Sequence, residues 1–144
     1  MIFAFRKLLL RAAWAPVAVV IFHAAVARTS LRVPLDFPIH FSGGASIAFF
    51  AYHALVCFEA LFGKLTRIGL HLFSFALACT VGLFWEFAEL FSDTFLHTHI
   101  QISIHETFSD LIADATGAAT GLLLVFIAGR FRKAGGCCGR PTSV

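Results

Sequence analysis

Residues 68–92 read IGLHLFSFALACTVGLFWEFAELFS. The stretch has no proline, lysine or arginine, and its two acids, Glu86 and Glu89, stand near its C-terminal end. A helix needs roughly 20 apolar residues to cross the hydrocarbon of a bilayer, and this run is long enough. Three further runs of similar character lie at about 8–27, 40–63 and 104–129. They are separated by Arg28–Ile39, a short link at Lys64–Arg67 and a polar segment at Ser92–Ser103. Four such runs in 144 residues leave room for one domain.

Composition agrees. Apolar residues make up 59% and charged residues 13%, with a mean hydropathy of +0.87. A soluble domain carries about 25% charged residues, so lipid must cover much of this surface. Eighteen phenylalanines and one methionine fit a lipid-facing surface better than a soluble core. The net charge of +3 is too small and dispersed for a nucleic-acid partner. The four cysteines make no disulfide framework: Cys57 and Cys79 lie inside apolar runs, and Cys137 and Cys138 are adjacent in a glycine-rich tail.

The basic residues orient the runs. With the N-terminus inside, the cytoplasmic side carries Arg6, Lys7, Arg11, Lys64, Arg67, Arg130, Arg132, Lys133 and Arg140, and the outer side only Arg28 and Arg32. This is the positive-inside pattern, and the reverse topology would invert it. The expected fold is therefore all-α: a polytopic membrane protein with four transmembrane helices in a compact bundle and both termini cytoplasmic. Its transmembrane domain covers 1–133, and residues 134–144 form a flexible cytoplasmic tail. The first run has a rival meaning, because it ends Ala25-Val26-Ala27 after Arg6, Lys7 and Arg11, the layout of a cleaved signal peptide. Pro16 and His23 favour an uncleaved first helix.

The acids are sorted the other way. Asp36, Glu86, Glu89, Asp93, Glu106, Asp110 and Asp114 all fall toward the outer side, with His40, His97, His99 and His105; only Glu59 lies near the cytoplasm. Topology does not require this, because acids contribute little to it. At 1.5 Å per residue, Glu86 stands roughly 28 Å beyond Arg67 and Asp114 roughly 24 Å from Arg130. At 100° per residue Glu86, Glu89 and Asp93 share one face with Gly82. Glu106, Asp110 and Asp114 share another with Gly117 and Gly121, and His40 one with Gly43 and Gly44. Small residues are where membrane helices approach each other, so these five glycines mark packing faces and the acids beside them point inward. Charge facing lipid would cost several kcal/mol.

Several of these residues have structural explanations. Ser103-x-x-Glu106 is a capping box. Asp36 before Phe37-Pro38 has the form of an N-cap with proline in the first turn. Asp93 can solvate a helix end, and His97, His99 and His105 occupy a polar loop. Glu86, Glu89, Asp110 and Asp114 lie a turn or more inside helices, where capping does not account for them. Acids within the membrane mark functional sites. The candidate cluster is His40, Glu86, Glu89, Asp93, Gln101, Glu106, Asp110 and Asp114.

The pattern Trp85-Glu86-x-x-Glu89-x-x-x-Asp93, followed by Gln101-x-Ser103-x-x-Glu106-Thr107-x-x-Asp110-Leu111-x-x-Asp114-x-x-Gly117-Ala118, resembles the VanZ-like and YjdF-like group of small bacterial inner-membrane proteins. Asp36-x-x-x-His40-Phe41-x-x-Gly44 matches a second segment, so the likeness runs over roughly residues 36–121. Glu106 stands where the pattern usually has Asp. The arginine common before the last motif in the VanZ-like version is absent, which places the chain nearer the YjdF-like branch. The resemblance implies a multi-pass protein of the bacterial cytoplasmic membrane and this residue set. VanZ itself is associated with glycopeptide (teicoplanin) resistance.

Three functions are open at this stage. A binding protein would hold a divalent cation, a lipid headgroup or an envelope lipid or glycan precursor in the acidic pocket. Hard divalent cations favour carboxylate oxygens, with Glu89, Asp110 and Asp114 as ligands, and His97-x-His99 would pull toward zinc. An intramembrane hydrolase or transferase acting on a lipid or glycan carrier would use crowded carboxylates as an acid/base pair, with His40 as a proton shuttle. No Gly-x-Ser-x-Gly elbow, HExxH motif or phosphate-cradling glycine loop supports it. An ion-coupled transporter would need a homo-oligomer, since four helices are few for alternating access. Membrane lipids are partners in every case.

Overall fold

The computed structural model describes residues 5–6, 8–27, 29–101 and 103–135, with side chains as far as residue 130. Lys7, Arg28 and Cys137-Cys138, and the tail from residue 136 onward, lie outside the described residues. Among the described residues the chain is helical, with no strand. The four spanning helices are α1 (Leu9–Val26), α2 (Arg32–Cys57), α3 (Arg67–Leu96) and α4 (Ile104–Gly135). All four are long and apolar enough to cross a membrane, and the protein is an all-α polytopic membrane protein.

The first helix opens with a wide π-helical turn, Leu9–Ala13. Pro16 follows, and a proline ring excludes the ordinary hydrogen bond to the residue four before it. A π turn at this place absorbs that mismatch. Beyond Val26 the chain reverses, and the Thr29 hydroxyl donates to the Val26 carbonyl at 2.8 Å.

The second helix departs from the sequence expectation. It begins at Arg32, eight residues before the expected residue 40, so Asp36 lies inside it and does not cap it. Leu31 occupies the cap position and makes no side-chain cap bond. The prolines permit the early start: Pro34 falls in the first turn, where backbone N–H groups have no helical partner anyway, and Pro38 costs one bond. The helix ends at Cys57, six residues short of the expected end. A one-turn helix, Glu59–Phe62, then leads to Gly63 with φ of 78°. That left-handed backbone is open to glycine at little cost.

The third helix starts where the Thr66 hydroxyl accepts from the Gly69 N–H at 3.0 Å. It runs four residues past the expected end at 92 and stops at His97, whose φ is 55°. The fourth begins where expected, with Ser103 Oγ accepting from the Glu106 N–H at 3.3 Å. It continues to Gly135, so residues 134 and 135, assigned to the tail from sequence, extend the helix.

In the bundle α2 is central, packing against each of the others, and its contact with α4 is the most extensive. These two helices run parallel. Phe41 meets Gly117 and Ala45 meets Gly121, one turn further along both. A methyl group at Gly117 or Gly44 would overlap a backbone carbonyl, of Phe41 or Asp114 respectively. Only a hydrogen atom fits, which is the geometry of close helix contact in membranes.

The core is small-residued: Ala48, Ala78, Ala118 and Leu122, with Ile47, Tyr52 and Phe75 against them. The largest side chain buried outright is Ser74. Large apolar groups such as Phe73, Phe84, Phe95 and Phe108 point outward, as lipid solvation allows.

Candidate functional site

Close approach of α2, α3 and α4 brings four ionisable side chains together in the outer half of the bundle. His40 comes from α2, Glu86 from α3, and Asp110 and Asp114 from successive turns of α4. None is more than 7% exposed. His40 Nδ1 lies 3.5 Å from Asp114 Oδ2 and 3.7 Å from Glu86 Oε1. Ligand-type atoms of His40, Glu86 and Asp110 all fall within 4.8 Å of one another.

Glycines make the space. Gly82 of α3 has no side chain where the Asp114 carboxylate lies, and a Cβ there would press into that carboxylate. Gly43 of α2 faces the same carboxylate from the other side, with Asp114 Oδ1 at 3.6 Å from the position of a Cβ. The shared face of glycine and acid read from the helical repeat is thus a physical seam, with Asp114 set between two glycines.

Glu86 is held in place from the loop. Gln101 Nε2 donates to the Glu86 carbonyl at 3.2 Å and to its Oε2 at 3.3 Å. Its other oxygen, Oε1, is buried and has no hydrogen-bond partner. Buried polar atoms without partners are rare and ask for a physical account.

The remaining residues of the expected cluster do other work. Glu89 is half-buried on the neighbouring flank of α3 and accepts from Trp85 Nε1 at 2.8 Å. Asp93 organises the loop: Thr98 Oγ1 donates to Oδ1 at 2.6 Å, the Ile100 N–H to Oδ1 at 2.5 Å and the Gln101 N–H to Oδ2 at 2.7 Å. Arg32 donates to the Ile100 carbonyl and ties the same loop to α2. Glu106 starts α4, its N–H on Ser103, and is an electrostatic neighbour of Asp36 and Asp110.

The metal set expected from sequence and the group the fold brings together differ. Among the described residues, the group with metal-ligand spacing is His40, Glu86 and Asp110; His97, His99 and Glu89 are not in it. His97 and His99 are exposed and adopt left-handed φ of 55° and 56°, conformations that turn the chain out of α3. Asp114 adjoins the group through His40.

Two clefts reach these residues from opposite sides of α3. One, of about 100 Å³, lies between α1, α2 and α3; its walls include Pro16, Val20, Ile39, Ile47 and Val81, and its polar floor is His40 and Asp114. The other, of about 430 Å³, lies between α3 and α4 beneath the loop and is bordered by Glu86, Asp93, Gln101 and Thr107. The part played by α1 was not legible in sequence. Helix α1 packs closely on α2 alone and reaches α3 through the His23 and Trp85 rings, 5.3 Å apart. An isolated histidine and a proline in an apolar run carry no signal of which helix they will face.

A family model described as "Predicted membrane protein (DUF2238)" matches residues 3–131. That span includes the first three spanning helices, most of the fourth and every residue of the cluster, and the chain belongs to this family. No curated protein and no solved structure shows significant similarity to it.

Proposed function

We propose that this member of the DUF2238 family is a binding protein that holds a divalent cation in the outer half of its bundle, with His40, Glu86 and Asp110 as ligands. The carrying observation is the convergence of these three buried groups within 4.8 Å. Three carboxylates and one histidine lie together in a low-dielectric setting, and among the described residues no lysine or arginine is within ion-pair distance of them. Unpaired charge there is very costly, and a doubly charged ion would balance most of it. Glu86 Oε1, without a hydrogen-bond partner, is an available ligand atom. One nitrogen and two carboxylates suit zinc, manganese or iron better than calcium, which takes six to eight oxygens.

Three protein ligands leave coordination positions open, as in catalytic metal sites and not structural ones. That favours an intramembrane enzyme acting on a lipid-borne substrate as the second reading. The resemblance to VanZ-like and YjdF-like proteins supports a place in the bacterial cytoplasmic membrane and an envelope lipid or glycan precursor as the larger ligand.

The test is metal content of the purified full chain. About one equivalent of a transition metal is expected in wild type and a loss of at least tenfold in Glu86→Gln, with helicity unchanged. Equal metal in both proteins, or none in wild type after reconstitution with zinc, manganese and iron, would overturn the proposal.

A further inference from the structure

The inner ends of α3 and α4 carry cations that no described residue neutralises. The two helices are neighbours, and His71 of α3 meets Phe126 of α4 ring to ring at 5.8 Å. One turn nearer the inner surface stand Arg67 on α3 and Arg130 on α4. Residues four apart on a helix share a face, so each arginine lies on the face of its aromatic neighbour. Two cations therefore stand at one level on adjacent helices, and Lys64 precedes them in the link that leads into α3. All three are exposed, and among the described residues none makes a side-chain hydrogen bond or ion pair. The only acid on this side, Glu59, is also exposed and bridges to none of them.

Arg130 is nonetheless held in place. Its guanidinium lies over the Phe126 ring, 4.8 Å from the centroid. That ring abuts His71, whose Nδ1 is 2.7 Å from the Arg67 carbonyl. Stacking occupies the face of a guanidinium and leaves the N–H groups at its edge free to donate. A planar fork of such donors matches the oxygens of a phosphate.

The surroundings say which phosphate. At 100° per residue Arg130, Ile127 and Leu123 fall on one face of α4, and Ile127 and Leu123 are 39% and 56% exposed. An apolar strip thus runs from the guanidinium into the hydrocarbon. A phospholipid satisfies both parts, with its phosphate at the arginines and its acyl chains along the strip. A free anion satisfies only the first. The ammonium of a zwitterionic headgroup would meet three cations and no acid paired with them, a repulsion that an anionic headgroup avoids.

We propose that the inner ends of α3 and α4 form a binding site for an anionic phospholipid, with Lys64, Arg67 and Arg130 on its headgroup and Ile127 and Leu123 beside its chains. The site lies at the opposite end of the bundle from His40, Glu86 and Asp110, and it is independent of the cation reading.

The probes are dioleoyl phosphatidylglycerol and dioleoyl phosphatidylcholine, titrated separately into the full chain in detergent, with bound lipid counted by native mass spectrometry. One basic residue near an anionic surface is worth about fivefold in binding. Phosphatidylglycerol is therefore expected to bind at least fivefold more tightly than phosphatidylcholine. Arg67→Gln and Arg130→Gln should each weaken phosphatidylglycerol about fivefold and leave phosphatidylcholine unchanged. Arg6→Gln removes the same charge from an exposed position near the N-terminus and should leave both affinities unchanged. Millimolar inorganic phosphate should not displace the lipid. Equal binding of the two lipids would overturn the proposal by removing recognition of charge. An equal loss in Arg6→Gln and Arg130→Gln would overturn it by removing the site, and displacement by inorganic phosphate by removing the lipid.

Discussion

The outer and inner halves of this bundle both bury polar side chains, and they do so in different ways. In the inner half His71 Nδ1 lies 2.7 Å from the Arg67 carbonyl of its own helix, and its ring is flanked by Tyr52 at 5.3 Å and Phe126 at 5.8 Å. Arg130 stacks over Phe126. Ser74 bonds back to the Leu70 carbonyl. These groups bond back to their own helix or lie among aromatic rings, which is all that surrounds His71 Nε2, buried without a hydrogen-bond partner, and alanines and Leu122 fill the space between. In the outer half four ionisable groups from three helices face one another, with backbone contact at Gly44 and Gly117 holding those helices close. Burial alone therefore does not mark a site in a membrane protein. Convergence of like charges from separate helices does, because nothing in local structure requires it and it opposes folding unless something balances it.

The comparison breaks first, and most completely, at the glycines. Gly44→Ala puts a methyl into the Asp114 carbonyl and should destabilise the bundle by about 3 kcal/mol or more, the upper range for overpacking. Gly129→Ala, where a Cβ meets nothing within 4 Å, should stabilise it by about 0.5–1 kcal/mol through helix propensity alone. Thermal unfolding in detergent distinguishes the two, and equal effects would dissolve the claimed difference between the halves.

A smaller effect concerns the ion. Saturation at 100 times the dissociation constant stabilises a fold by about 2.7 kcal/mol, so a chelator should lower the melting temperature of wild type. It should leave His40→Ala unmoved. His71→Ala, in the inner half, should respond to chelator as wild type does. Identical chelator responses in all three would remove the outer half's distinction.

The loop gives the next effect. Asp93→Ala removes the acceptor of three hydrogen bonds and should loosen the loop beyond α3. Amide exchange at Ile100 and Gln101 should rise while exchange at Ser74 stays slow. Since Gln101 positions Glu86, Gln101→Ala should weaken metal binding about tenfold, the lower end for an outer-shell partner, read as a dissociation constant by titration. A small effect comes last: Thr66→Ala at the inner end of α3 should cost about 1 kcal/mol as a lost cap and leave metal affinity unchanged.

Much of this architecture is set by local sequence. Four apolar runs specify four spanning helices because lipid admits no unpaired backbone, and a helix satisfies its own. The start of α4 follows from Ser103 and Glu106, and the left-handed turn at Gly63 closes the second run just before the short link the basic residues mark. The inward faces of α3 and α4 follow from helical periodicity, which brings glycine and acid onto one side. Boundaries set by non-local contacts were less legible. The early start of α2 accompanies a contact across the bundle, Arg32 to the Ile100 carbonyl, and the extra turn of α3 accompanies the hold of Asp93 on the loop beyond it.

Which of the outer groups meet was decided by tertiary structure alone. Spacing on one helix places Glu86 and Glu89 on a common stripe but does not say how far that stripe turns toward α2. Packing against α2 and α4 buries Glu86 beside His40 and leaves Glu89 to Trp85. His97 and His99 have metal-ligand spacing in sequence, and the backbone of the turn points them away. Periodicity constrains direction within a helix, whereas a site built from three helices depends on their rotations about one another. Those rotations are set here by where glycine lets backbones touch.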